Sequence, residues 1–546
     1  MRYHNEVGRD GSCRPTGYQY VGFSISTPSA ELISVLILVV LIYISYHFMN
    51  TTVYDASGKR IPGPSIGDCP VSRLRGARRR KRVAELLHEF MINTWGDGKL
   101  CGLRIFGRKI CFLGHPDDVK VILAGSHSAF PKAKRYDRLK FVLNEGLVTS
   151  AGKVWQAHRR IINKGFQATK YANFVKVFTE QSESTIDEID GKMNDQESVE
   201  INLTQTLGLL SYKIICKAGF SYEPDSSNPS YSEGFSPDAV TLILDEINDR
   251  LTHLTDWGHY LNVPRELRVN QKLRDMNKVI FEIITNRRAL LEMENRKKQE
   301  LGVDIDDAEE ENEAEKDLLD VLMRAISDEK TLSARDLRDH VFTFLAAGTE
   351  TTATTTSWLL LELCQNQHIQ EKCVAEIMSV IGQDSGDGNH LTYEDMDKLI
   401  YLEAVMKETL RLHPPISVVA RTCKDNTSLA SGYTLSAGTT AIVCIYSLHL
   451  NESLWKDANL FKPERFLPEN IQSTLHSPWM YIPFAAGPRN CIGQRFAKYE
   501  VLSVVATFLK RFNVSLSREA QARYRVEETV VRRPVDLHMT FTKRSV

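Results

Sequence analysis

The stretch Phe484-Ala-Ala-Gly487-Pro-Arg489-Asn-Cys491-Ile-Gly493 decides how this chain is read. Gln494 to Phe512 follows at once, and Val501, Val505, Phe508 and Phe512 recur at the spacing of one face of an amphipathic helix. Cys491 therefore lies in a glycine-punctuated loop just ahead of a helix N-terminus. Unpaired N–H groups and the helix dipole there favour a thiolate over a thiol. Gly487 and Gly493 permit a close backbone approach and φ values that other residues avoid. Arg489 adds a positive charge suited to a carboxylate. A lone cysteine is more often a small buried hydrophobe than a ligand; the ten-residue setting turns the reading toward a ligand.

A second stretch is locally odd. Leu337, Val341, Phe344 and Leu345 keep helical spacing and lead into Ala346-Ala347-Gly348-Thr349-Glu350-Thr351-Thr352. Six threonines fall between 349 and 356, and threonine is a poor helix former. Something besides propensity must hold this segment helical. The small residues 346–348 leave room for a flat cofactor and a diatomic ligand, and Gly348 with back-bonding hydroxyls can open the helix locally. Glu408 and Arg411 stand three apart on a helix that His413-Pro414-Pro415 ends, so they share a face. Such pairs are commonly surface ion pairs of little worth. Trp155 and Arg159 also share a helical face, and taken alone they read as a core Trp beside a surface Arg.

Together these segments point one way. Phe-x-x-Gly-x-Arg-x-Cys-x-Gly resembles the haem-binding signature of the cytochrome P-450 superfamily, and the family's other marks follow in order from Ile61 to the C-terminus. The resemblance implies a mainly α fold with a smaller β-rich side, and haem b between two long helices with Cys491 as iron ligand. A thiolate there donates the electron density that O–O cleavage needs. It further implies that Phe484, Arg489, Gly493 and Gly348 belong to the cofactor site, and that Trp155, Arg159 and Arg421 serve the propionates. By the same resemblance Thr351 donates a hydrogen bond to iron-bound oxygen and Glu350 belongs to a proton relay. Phe461-Lys-Pro-Glu-Arg465-Phe resembles the segment that joins Arg465 to Glu408 and Arg411 in an internal charge network.

The implied reaction inserts one atom of dioxygen into a hydrophobic, lipid-like small molecule. Its electrons come from a separate NADPH-dependent cytochrome P-450 reductase, with a cytochrome b-type donor as a second candidate partner. Lys153, Arg160, Lys164, Arg495 and Lys498 offer positive charge to an acidic partner, although ordinary solubilising charge explains them as well. Three rivals stand beside this reading: a family member that rearranges hydroperoxides, a haem sensor or electron carrier, and a non-enzymatic membrane scaffold. The intact Glu350-Thr351 pair argues against the first. Glu-Thr-Thr and the C-terminal motif are similar to the branch that includes fatty-acid hydroxylases. Some of those carry a glutamate esterified to haem where this chain has Ala347, so haem is expected to be bound non-covalently. Residues 130–150 and 235–265 are the expected pocket walls, among them Phe130, Tyr136, Phe141, Val142, Leu244, Ile247 and Trp257.

Composition agrees with a large folded enzyme. The 546 residues are 42% hydrophobic and 25% charged, with a net charge of −1 that gives no footing for nucleic acid. Ten cysteines are scattered without a C-x-x-C pair, which reads as thiols in a reducing compartment. Leu32 to Met49 reads LISVLILVVLIYISYHFM, long and apolar enough for a membrane-spanning helix. The basic run from Lys59 to Arg82 follows it, and the positive-inside tendency puts the remainder in the cytosol. The expected organisation is a polar segment 1–31, a transmembrane anchor 32–49, a linker with a Pro-rich hinge 50–64, and a catalytic domain 65–546 at the endoplasmic reticulum membrane. Leu100 to Leu113 reads as a hairpin about Gly107, Arg421 to Leu450 as strands, and Val530 to Thr542 as a hairpin or edge. The acidic run Asp304 to Glu315 reads as a solvated loop.

Overall fold

The computed structural model describes residues 52–64, 82–94, 98–105, 107–194, 196–224, 235, 237–252, 263–300, 317–327, 332–382 and 390–544. The expected anchor 32–49 and the acidic run 304–315 lie outside them. Among the described residues no helix is long and apolar enough to cross a membrane.

Eight helices build the site: α1 (Gly152–Asn163), α2 (Tyr171–Lys192), α3 (Leu203–Phe220), α4 (Pro237–Thr252), α5 (Val263–Glu300), α6 (Ala334–Gln365), α7 (Ile400–Leu412) and α8 (Gln494–Arg511). Helix α6 starts on a capping box. The Ser333 hydroxyl accepts from the Asp336 N–H at 3.2 Å, and the Asp336 carboxylate accepts from the Ser333 N–H at 2.9 Å. It then runs unbroken through the threonine-rich stretch. The hydroxyls of Thr351, Thr352, Thr355 and Thr356 donate to carbonyls four residues back at 2.6–3.0 Å. The back-bonding is present, but it does not interrupt the helix as the sequence suggested. Burial supplies what propensity lacks, since Thr352 through Leu361 are all buried.

Helix α8 also departs from expectation. Instead of one apolar face it is buried on every side from Tyr499 to Leu509, with α2, α6 and Gln367–Ile381 packed around it. A helix enclosed all round is a core element, and it carries Glu500, Ser503 and Thr507 inward with it.

The β-rich side is small. Strands β1 (Leu100–Ile105) and β2 (Arg108–Leu113) form the expected hairpin, with Gly107 at φ +76° in its turn. A four-stranded sheet follows in the order β1-β2-β5-β4, where β4 is Val418–Thr422 and β5 is Thr440–Cys444. The chain turns helical at Ile445–His449, so the expected strands end before Leu450. The segment 530–542 is split between two sheets. Strand β8 (Arg532–Val535) pairs back on β7 (Arg525–Glu528). After a turn with Asp536 at φ +56°, β9 (His538–Lys543) lies between β6 (Phe512–Ser515) and β3 (Ser198–Asn202).

Candidate active site

The cysteine loop is closed by its own backbone. The Cys491 N–H donates to the Phe484 carbonyl at 3.0 Å, and the Asn490 N–H to the Gly487 carbonyl at 3.0 Å. Ala485 at φ +56° and Gly487 at φ +75° make the bend. A Cβ at Gly487 would lie 1.9 Å from the Leu123 carbonyl oxygen, so this glycine is demanded twice over. Gly493 is different. Its φ is −90°, so the unusual φ expected from sequence is not present, and among the described residues an added Cβ would meet only Phe166 at 3.9 Å. Gly348 has a second neighbour to serve. It is absent from the cavity wall, and a Cβ there would press on Ile215 of α3 at 3.1 Å. It lets α3 approach α6 closely.

Cys491 has open surface and lines the main cavity, although the chain surrounds it. Burial pushes its thiol up, against the pull of the Gly493 N–H and the Arg159 charge. Desolvation outweighs these two, and an iron held by Cys491 would favour the thiolate, since a metal deprotonates a coordinating thiol.

Four cations gather beside this loop. Arg159 donates to the Asn490 carbonyl at 2.8 Å and to its side-chain oxygen at 3.0 Å, Arg489 to the Ser150 carbonyl at 2.9 Å, and Arg421 to the Ala420 carbonyl at 3.0 Å. Lys132 donates to the Val148 carbonyl and bridges to Arg421 by backbone. Trp155 is buried, and the Arg489 guanidinium stacks 3.8 Å over its ring. Among the described residues none of the four cations meets a carboxylate. Burial and mutual repulsion push Lys132 down to about 7 and Arg489 down to about 10. A set of desolvated like charges is unfavourable unless an anion joins it, and the two propionates of haem fit that demand. Sequence reasoning missed Lys132, which follows Pro131 in a segment with no periodic pattern.

The same cavity is lined from α6 by Ala346, Ala347, Thr349, Glu350, Thr351 and Thr352. The Thr351 hydroxyl donates to the Ala347 carbonyl at 2.9 Å. Burial pushes the Glu350 carboxyl up, opposed by Arg533 of β8 at 3.3 Å. Arg533 was likewise not found from sequence. The expected charge network lies apart from this cavity. Arg411 grips Glu408 with two bonds of 2.8 Å and donates to the carbonyls of His449, Ala458 and Leu460. Arg465 adds a contact to Glu408 at 3.3 Å.

A family model described as Cytochrome P450 matches residues 76–541. The chain is a cytochrome P450. It is 30% identical to the human protein named ultra-long-chain fatty acid omega-hydroxylase over 463 residues, covering 83% of this chain and 81% of that one. It is 30% identical to human cytochrome P450 4F2, covering 74% and 75%, and 29% identical to Drosophila melanogaster cytochrome P450 4d1, covering 74% and 77%. As a cytochrome P450 it is a monooxygenase that uses haem b with a cysteine thiolate ligand. Ala347 gives this P450 no side-chain carboxylate for an ester to the haem at that position.

Proposed function

We propose that this P450 oxygenates a lipid-like substrate in the cavity between α4, α6 and the cysteine loop, with electrons from an NADPH-dependent reductase. The observation that carries the reading is the cavity of about 1790 Å³, which holds Cys491 and Thr351 together with a long apolar wall. Tyr136, Val142, Leu143, Leu244, Ile247 and Leu251 line it, as the sequence suggested. Phe130 instead packs near the four-stranded sheet, Phe141 lies under Arg250, and Trp257 falls outside the described residues. The name of the human omega-hydroxylase supports a fatty-acid-like chain as the substrate class.

Haem, when bound, supplies dioxygen activation. The chain supplies the rest. Cys491 ligates the iron, and Lys132, Arg159, Arg421 and Arg489 hold the propionates. The apolar wall orients the substrate and excludes water. Thr351 releases the Ala347 carbonyl and donates its proton into the cavity, and Glu350 replaces that proton through water. A hydroxyl both donates and accepts, which a methyl group cannot do.

Thr351→Ala is therefore expected to lower the ratio of product formed to NADPH consumed while peroxide rises, and haem content is expected to stay unchanged. Directed proton transfer of this kind contributes on the order of 10²–10⁴-fold. An unchanged ratio would remove Thr351 from the proton route. Spectral titration against fatty acids, sterols and terpenes tests the substrate class, and a response confined to sterols or terpenes would refute the fatty-acid reading.

We also assign residues 32–49 as the anchor in the endoplasmic reticulum membrane, with residues 65–546 in the cytosol. The sequons at Asn426 and Asn513 are exposed, whereas Asn451 is buried and Asn202 caps α3. No glycan is expected on Asn426 or Asn513 in a eukaryotic host, and glycans at either site would place the body in the lumen. For the reductase, Lys153, Arg160, Lys164 and Arg495 are exposed, while Lys498 is tied to Glu403 at 2.6 Å. The exposed four are the better candidates for an acidic partner.

A further inference from the structure

The ion pair between Glu350 and Arg533 joins two parts of the chain that no motif connects. Arg533 stands on β8 with its side chain 9% exposed, and Glu350 on α6 with its side chain 17% exposed. One guanidinium nitrogen donates to Glu350 at 3.3 Å, and another to the Thr241 hydroxyl of α4 at 3.4 Å. The Arg533 Nε is buried with no hydrogen-bond partner among the described residues. Arg533, Glu350, Thr241 and Thr351 all line the cavity. Its neighbour Arg532 is engaged elsewhere, with Glu85, His413 and the rings of Trp358 and Tyr446.

A carboxyl in a dry wall holds its proton, because the anion left behind would be poorly solvated. A group that passes protons must occupy both states in every cycle. A guanidinium beside it stabilises the anionic state and fixes where the carboxyl points.

We propose that Arg533 is the positioning residue for Glu350. It keeps the carboxyl on the cavity wall one residue from Thr351 and makes its anionic state accessible, while Thr241 steadies the guanidinium. The O–H bond of Glu350 breaks, its proton passes to cavity water beside Thr351, and water from solvent returns a proton to the carboxylate. The inference rests on the proton-relay reading of Glu350 given above.

The test is a double-mutant cycle on the haem-loaded full chain with its reductase. Product formation is measured in H₂O and D₂O for Arg533→Gln, Arg533→Lys, Glu350→Gln and the Arg533→Gln/Glu350→Gln pair. The reduced carbonyl spectrum verifies folding in each. Arg533→Gln is expected to slow product formation by about tenfold, a part of what general acid help contributes, and to enlarge the solvent isotope effect. Arg533→Lys should recover most of the rate, and the double variant should be no slower than Glu350→Gln alone. Thr241→Val, which leaves the charge in place, should shift both quantities in the same direction by less. Additive losses in the cycle would overturn the proposal, since they would mean that Arg533 acts on something other than Glu350. A raised KM with unchanged kcat in Arg533→Gln would also overturn it, by showing that the guanidinium binds substrate. If Glu350→Gln alone changes neither rate nor isotope effect, the relay reading fails, and the role of Arg533 fails with it.

Discussion

Cys491→Ser is expected to abolish the thiolate-type reduced carbonyl spectrum and to reduce turnover to background, while the protein still folds. A serine alkoxide is not available at neutral pH, so no anionic ligand replaces the sulfur. The loop itself does not depend on sulfur. It is closed by the Cys491 N–H on Phe484, by the bend at Ala485 and Gly487, and by Arg159 on Asn490. Lys132, Arg159, Arg421 and Arg489, proposed to hold the propionates, are also untouched. Haem content and spectrum should therefore separate, with haem retained and its ligand signature lost. A variant that kept both the spectrum and its turnover would show that another residue ligates the iron.

Arg411→Leu should be the most destabilising single change in the haem-side core. Both partners of the Arg411–Glu408 pair are wholly buried. Removing one charge leaves the other uncompensated in a dry site, a loss of about 3–5 kcal/mol. The Glu408 carboxylate would keep only the Lys462 N–H at 2.8 Å and Arg465 at 3.3 Å, and three carbonyls would lose their donor. Arg411→Lys should rescue poorly, because a point charge cannot replace a planar fork with several directed donors. A Glu408→Gln/Arg411→Leu pair should recover part of the loss, since no bare charge remains. The measurement is the thermal midpoint together with the yield of haem-loaded protein. An unchanged midpoint in Arg411→Leu would mean that the network contributes little.

The residues that sequence revealed best are those whose local demand and tertiary role coincide. Gly487 is needed for its φ, a demand that falls inside one short motif, whereas the approach of Leu123 comes from a distant helix and was not foreseen. Glu408 and Arg411 lie one helical turn apart, so their pairing was visible in spacing alone. Gly348 and Gly493 were harder to read, and Gly493, expected at an unusual φ, has −90°. A glycine serves strain, close approach or neither, and the sequence does not separate these. For Gly348 the close approach belongs to Ile215 on another helix. Helix α8 was taken as one-sided because apolar spacing does not count how many neighbours surround it. Lys132 and Arg533 were invisible because their partners are distant. Arg533 meets Glu350 across 183 residues of chain, and no periodicity connects positions so far apart.

The four cations beside the cysteine loop, which meet no carboxylate among the described residues, bear on how this enzyme is made as well as on how it works. In the proposed site a prosthetic group that brings two negative charges to Lys132, Arg159, Arg421 and Arg489 would also be their counter-ion. Such a ligand binds the folded chain and not the unfolded one, so it shifts the folding equilibrium by mass action. A newly synthesised chain short of haem must hold this cluster together against its own repulsion. Chains in that condition are the ones that proteases and chaperones take first. If these four side chains hold the propionates as proposed, the amount of this enzyme in a cell should follow the supply of haem at the moment of folding.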